Sequence, residues 1–331
     1  MKKLLFSLFN IFVLIALPLQ AMEVDMSILN DMSKEISKDL NVPTIVGPDD
    51  REEITGKASG PEKAVVVIDI VGNDERGYIC SGAMIGYKTV LTAAHCLIDN
   101  SGNYAKEIKV YATGMPKEQK QGGLTPASES TEEATNPHES QVEKYKRMVM
   151  QGWEEKFPDG SKFPNAKAKS LWVPDKYKKG IRNNDETEKQ DNDYGIIFLD
   201  SELGKDIGQV LGLKVLSEAQ FFNIDIIVIG RGYDKHNYSL WKSPGHIDRD
   251  DVLWPLNMIF FDADVLEGNS GGPIFKKNDL KNIIALATAE LPANCDDCSP
   301  NVGLPIRQDI VNNINRVKKG ELKTYTLPDT D

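Results

Sequence analysis

From Ala64 onward the chain is a succession of short apolar runs cut by Gly and Asn-Asp clusters. They are AVVVIDIV (64–71), ICSGAMIG (79–86), TVLTA (89–93), YGIIFLD (194–200), IDIIVIG (224–230), LNMIFFD (256–262) and NIIALATA (282–289). Each is apolar, too short for a typical helix and bounded by turn formers, so each predicts a strand. Many short strands at such spacing predict an all-β barrel or sandwich. With 331 residues, 40% of them apolar, the chain can bury a large core in one domain or two lobes. A helix is expected only near the end. In QDIVNNINRV (308–317), Ile310, Val311, Ile314 and Val317 recur at helical spacing.

The first residues predict export. Lys2-Lys3 is a basic start, Leu4 to Leu19 is almost wholly apolar, and Leu19-Gln20-Ala21 offers a small residue for cleavage. The run is short and polar sequence follows it, so residues 1–21 read as a signal peptide rather than a membrane anchor. The expected location is secreted or periplasmic, with no stable membrane association after cleavage. Residues 22–44 are polar with helical patches (Ile28, Leu29, Met32, Ile36, Leu40) and end at Pro43, which suggests a propeptide. From about 113 to 170 the chain is rich in Lys, Glu, Ser and Pro and poor in apolar residues. So long a polar stretch in a compact domain reads as an insertion.

Export also changes how the cysteines read. Cys80, Cys96, Cys295 and Cys298 are an even set in an oxidising compartment, which suggests two disulfides. Three pairings are possible, and the adjacent ones, Cys80–Cys96 and Cys295–Cys298, are simplest. Cys295-Asp-Asp-Cys298 could instead be half a zinc site or a redox motif, but no second C-x-x-C completes the first and the surroundings do not read as βαβ for the second. We expect no metal and no cofactor. The net charge of −11, with lysines scattered among acids, argues against a nucleic-acid partner.

Three segments carry the chemistry: VLTAAHC (90–96), DNDYGIIFL (191–199) and EGNSGGP (267–273). The last lies in FDADVLEGNSGGPIF (261–275), where Gly268, Gly271 and Gly272 surround Ser270. Such a stretch makes neither a good helix nor a plain strand. It is either a surface turn or a loop shaped for close approach of a substrate. A histidine, an aspartate and a serine in that order, in an exported β-rich chain, favour the second.

TAAHC and GNSGGP resemble the two signature motifs of the chymotrypsin-like, or trypsin-fold, serine peptidases. IVGPDDREEIT (45–55), CSGAMIGYKTVLTAAHCLID (80–99) and DYGIIFL (193–199) are similar to their bacterial glutamyl endopeptidase branch. The resemblance spans roughly 45–318, apart from the insertion, and leaves 319–331 as a C-terminal tail. It implies two six-stranded antiparallel β-barrels with a short C-terminal helix, and a Cys80–Cys96 disulfide. It implies a monomeric endopeptidase acting on proteins or peptides, with Ser270 as nucleophile, His95 as base and Asp193 as the carboxylate orienting it. Gly268 and Ser270 would give the oxyanion-hole N–H groups, and the Thr288 hydroxyl would support the aspartate.

Two departures from the family pattern matter. Trypsin has Asp before its serine, paired with the new N-terminal amine; here the residue is Asn269, which carries no charge. Glutamate preference in the bacterial branch relies on a histidine whose matching position here is Ala287. Asp264 instead sits where trypsin has its pocket aspartate, and Glu290 and Thr288 are further candidates for substrate binding. A carboxylate about 4 Å from a substrate glutamate costs on the order of 4 kcal/mol at an effective dielectric near 20. The sequence therefore predicts a weak preference for Lys or Arg before the scissile bond; the alternatives are a glutamate-specific endopeptidase, or a non-catalytic binding protein on the trypsin fold, against which the complete triad and GNSGG loop weigh.

Overall fold

The structure, a computed structural model, describes residues 45, 48–54, 58, 60–113, 163–232, 234, 239–253, 257–290 and 301–328. The expected signal peptide, residues 22–44 and the Cys295–Cys298 pair lie outside the described residues.

Six strands form the first barrel: β1 (Val65–Val71), β2 (Gly77–Gly86), β3 (Thr89–Thr92), β4 (Glu107–Tyr111), β5 (Asn165–Trp172) and β6 (Gly195–Leu199). All pairings are antiparallel, in the ring β1-β2-β3-β6-β5-β4. The ladder between β5 and β6, with Leu171 opposite Ile197, closes the ring. Closure removes the sheet edges that would otherwise invite aggregation.

The second half repeats the order. Its strands are β7 (Ile224–Gly230), β8 (Leu240–Ile247), β9 (Met258–Phe261), β10 (Pro273–Lys276), β11 (Asp279–Glu290) and β12 (Asn301–Pro305). They pair as β8-β7-β10-β11-β12-β9. β9 then returns to β8, where Asp262 N–H donates to His246 O at 3.4 Å and the Asp262 carboxylate accepts from His246 N–H. The strand Glu52–Ile54 adds to the outer edge of β8. The two barrels and the C-terminal helix expected from the sequence are thus the observed architecture.

The runs read as strands become strands because their apolar residues have a core to enter. One continuous core fills the first barrel and runs through the interface to Phe275, Leu286 and Leu304; a second fills the other barrel around Phe221, Val228, Phe261 and Ile274. The terminal helix, Gln308–Lys318, buries Ile310, Ile314 and Val317 as its spacing predicts.

Two boundaries differ from expectation. The polar stretch assigned to an insertion up to about 170 runs into β5, where exposed Asn165, Lys167 and Lys169 alternate with the more buried Ala166 and Ala168 in NAKAKSLW. A period of two was present, but high polarity masked it. The C-terminal tail is part of the fold: Tyr325 and Thr326 pair with β5, and the Tyr325 ring stacks on Tyr104 at 4.3 Å.

Candidate active site

His95 sits in a short turn, Ala94–Cys96, directly after β3. That turn is fixed from two sides. Cys96 is disulfide-bonded to Cys80 on β2, as the resemblance implied, and its carbonyl accepts from Tyr78 Oη at 3.2 Å. Asp193 lies just before β6, on a turn that follows the helix Glu186–Gln190. Asn192 Nδ2 donates to Glu188 O at 2.9 Å, and Arg307, ahead of the terminal helix, donates to Asp191 O at 2.9 Å.

These turns bring one carboxylate against one imidazole twice over. Asp193 Oδ2 lies 2.7 Å from His95 Nδ1, and Asp193 Oδ1 accepts the His95 backbone N–H at 3.0 Å. With Nδ1–H donating to Asp193, the other ring nitrogen, Nε2, is left as a proton acceptor. Burial disfavours a charged ring here, but the Asp193 charge and its hydrogen bond outweigh it, and the pKa of His95 is raised above the ordinary value.

Ser270 comes from the other barrel, at the entrance to β10. Gly268 has φ 97° and Gly271 φ 78°, a region that side chains other than glycine's resist. A Cβ on Gly271 would collide with Thr92 Oγ1 and Ala93 N, so the loop presses directly on the strand leading to His95. Asn269 N–H donates to Leu266 O and Gly272 N–H to Asn269 O, making a compact double turn around the serine.

That turn is held from the first barrel by Ser81. Its backbone N–H donates to Ser270 O at 2.9 Å, its hydroxyl donates to Gly268 O at 2.8 Å, and the same hydroxyl accepts from Arg231 N–H at 2.9 Å. Ser81 is fully buried. Sequence reasoning missed it; the available signal was a hydroxyl inside a strand predicted to be buried. His95, Glu267, Gly268 and Ser270 line one open cavity of about 480 Å³. No hydrogen bond joins Ser270 Oγ to His95 among the described residues.

The candidate specificity residues fare differently. A second cavity beside Ser270, of about 210 Å³, is lined by Val265, Leu266, Glu267, Asn269, Ala287, Thr288 and Ala289. Asp264 is absent from its described wall. It is 3% exposed, and its carboxylate accepts the backbone N–H of Asp50 at 3.3 Å. Asp264 thus holds the segment at Asp50 and is not one of the residues lining this cavity. The Thr288 hydroxyl donates to Val302 O at 3.4 Å and not to Asp193. The register of β11 shifts between Ala287 and Ala289, which turns Thr288 out of the ladder, so the expected support of the aspartate is corrected. Glu290 ends β11, and its side chain lies outside the description.

Comparison with known proteins agrees with this layout. The family described as trypsin matches residues 54–128. A glutamyl endopeptidase of Bacillus licheniformis is 25% identical over 242 residues, 72% of this chain and 56% of that protein. The chain thus spans little more than half the length of that relative. Among solved structures, a Glu endopeptidase in complex with MPD superposes with a TM-score of 0.56 at 18% identity, covering 83% of this chain and all of that one. A structure titled HL collagenase gives 0.51 at 17% identity, over 85% of this chain and all of that one. An inactivated protease paralogue of the scabies mite gives 0.50 at 18% identity, over 82% of this chain and 99% of that one. The chain therefore has the trypsin fold and is similar in sequence to a bacterial glutamyl endopeptidase.

Proposed function

We propose that this trypsin-fold chain, related in sequence to a glutamyl endopeptidase, is an exported serine endopeptidase working through His95, Asp193 and Ser270. The observation that carries the reading is the double grip of Asp193 on His95, 2.7 Å at the ring and 3.0 Å at the backbone, with Ser270 on the wall of the same cavity. An inactivated paralogue shares the fold, so the fold alone does not argue catalysis; the residues do.

The steps follow from the groups present. A serine hydroxyl is almost fully protonated at neutral pH. His95 Nε2 takes that proton as Ser270 Oγ bonds to the scissile carbonyl carbon, and the C=O electrons move to oxygen. The N–H groups of Gly268 and Ser270 receive that oxyanion; one such donor is worth roughly 10²–10³ in rate. His95 then protonates the departing amine as the C–N bond breaks, leaving an acyl-enzyme that water hydrolyses by the same relay. Asp193 stays ionised and stabilises the imidazolium throughout. The Ser–His contact tightens when substrate fills the cleft, as apo sites commonly require.

The cavity beside Ser270 supports an uncharged side chain before the scissile bond. Val265, Leu266, Ala287 and Ala289 give it apolar walls, and Glu267, which also lines it, opposes a carboxylate. Glutamate is the competing choice on the strength of the relative's name, but no Lys, Arg or His lines the cavity among the described residues. We also assign residues 1–21 to export and 22–44 to a removed propeptide, with the mature monomer starting near Ile45.

Labelling by a fluorophosphonate probe tests the reading. Purified protein should label, and Ser270→Ala should not. Unchanged peptidase activity in Ser270→Ala protein would sink it. Paired chromogenic peptides differing only in that one residue test the pocket: Leu or Val should exceed both Lys and Glu in kcat/KM. A higher value for Glu would mean that a cation from outside the described residues reaches the cavity.

A further inference from the structure

Resting on the peptidase reading, we infer that Arg51 is a positioning residue for the nucleophile loop: an internal buried cation that orders it in place of the chain's terminal amine. The Arg51 side chain is only 3% exposed. It makes two forked pairs. Nε and Nη2 donate to the two carboxylate oxygens of Asp49, each at 2.8 Å, and Nη1 donates to Asp234 at 3.1 Å while Nη2 donates to its other oxygen. Burying a guanidinium is costly unless it is paired in this way. Planar bidentate geometry is what Arg offers and Lys does not.

What this cation touches explains why the chain would bury it here. Past the end of β7 at Gly230 lie Arg231, Gly232 and Asp234. A Cβ on Gly232 would lie 2.7 Å from Asp234 Oδ1, 3.2 Å from Arg51 Nη1 and 3.3 Å from Asn269 Nδ2. The bare glycine is therefore packed between the Arg51 guanidinium and the residue immediately before the nucleophile. A Cβ on Gly230 would lie 2.5 Å from Asn269 Oδ1 and 2.9 Å from Ser81 Oγ. Arg231 N–H between them donates to Ser81 Oγ, the hydroxyl that holds Gly268 O.

The chain of contacts runs from Arg51 and Asp234 through Gly232 and Arg231 to Asn269, Ser81 and Gly268. A second tie enters from the same segment, where Asp50 N–H meets Asp264, six residues before Ser270. Residues 49–51 are thus pinned to the nucleophile loop at two places. Asn269 is uncharged and its amide donates to Leu266 O, while the buried charge of Arg51 is satisfied by Asp49 and Asp234.

Two kinds of variant test this. Arg51→Met should lower kcat by on the order of 10–100-fold, the scale of a small misplacement of reacting groups. KM should change little, and fluorophosphonate labelling should slow in parallel. The pH midpoint set by His95 should stay where it is, because Arg51 acts on the serine half. Arg51→Lys, which retains the charge without the fork, should lose less than Arg51→Met. It serves in its place if Arg51→Met does not fold. Guanidinium ion added to Arg51→Ala at non-denaturing concentration should restore part of kcat. Separately, a chain starting at Ile45 and the same chain with one added residue ahead should have equal kcat. If wild-type protein labels and Arg51→Met and Arg51→Lys label at the wild-type rate, the inference is overturned. It is also overturned if the one-residue extension abolishes turnover, since the ordering cation would then be the terminal amine. Wild-type protein that fails to label at all sinks the peptidase reading rather than this one.

Discussion

The two barrels share a strand order and differ in how they hold their functional groups. The first is closed by a full ladder between β5 and β6. It carries both His95 and Asp193, joined by two hydrogen bonds. The second returns on itself through the Asp262–His246 contacts and carries Ser270 on a loop held by Ser81 of the first barrel. The base is therefore built within one barrel, whereas the nucleophile is built across the interface. Damage to the interface should reach the serine before it reaches the histidine.

The most severe way to break the comparison is to remove one member from each barrel. Ser270→Ala and His95→Ala should each lower turnover by a factor on the order of 10⁶, and the double variant little further, because groups acting as a unit are not additive. Steady-state kinetics with a residual-activity control checks it. Additive losses would mean that the two barrels contribute separately.

Gly271→Ala attacks the interface itself. The added methyl would strike Thr92 Oγ1 and Ala93 N while the backbone is held at φ 78°. Backbone strain and overpacking together should cost about 3 kcal/mol or more. Denaturant unfolding would show it, and an unchanged midpoint would mean that the loop has room to move.

Ser81→Ala is gentler and more selective. It leaves Gly268 O and Arg231 N–H without their shared hydroxyl, at about 1–3 kcal/mol for a buried group left unpaired. Probe labelling of Ser270 should slow while the titration of His95 stays put. A shifted His95 midpoint would show that the barrels are coupled more tightly than this division allows.

The strands and the three chemical segments were legible in the sequence because each depends on local pattern. YGIIFLD and IDIIVIG become strands where their composition says, and His95, Asp193 and Ser270 each stand beside a strand end. What was not legible depends on partners far away in the chain. Nothing in residues 261–270 says that the Asp264 carboxylate is taken by the N–H of Asp50, 214 positions earlier. Thr288 looked available to Asp193 because a bulge in β11 leaves no local mark. Ser81 and Arg51 carry no local mark that singles them out. Their roles come from partners distant in sequence: Gly268, Ser270 and Arg231 for Ser81, and Asp234 for Arg51.

Acidity distinguishes the halves by a smaller effect. Because Asp193 holds the His95 pKa above its ordinary value, activity should fall on acidification with a midpoint above about 6.5, as the base becomes protonated. The sign for stability is opposite. The folded state binds this proton more tightly than the unfolded chain does. The pair therefore stabilises the fold fully below the ordinary histidine pKa, and the contribution is lost as pH rises through the raised one. Asp193→Asn should lower the His95 midpoint in an NMR titration and remove that part of the pH dependence. An unmoved midpoint would break the assignment of Asp193 as its cause.

The seam of the second barrel should give the smallest change. Asp262 closes it twice, through its own N–H to His246 O and through its carboxylate accepting from His246 N–H. Asp262→Ala removes only the carboxylate half. The residue is exposed, so water replaces the lost acceptor, and the net cost should be about 0.5–1.5 kcal/mol, the range of a single hydrogen bond. The core around Val228, Phe261 and Ile274 is untouched, and so is the Ser81 contact with the nucleophile loop. Turnover should therefore stay near wild type while amide exchange quickens along β8 and β9. If Asp262→Ala lowers turnover as much as Ser81→Ala, the nucleophile is held by the closure of its own barrel. The first barrel's hydroxyl would then be a secondary support.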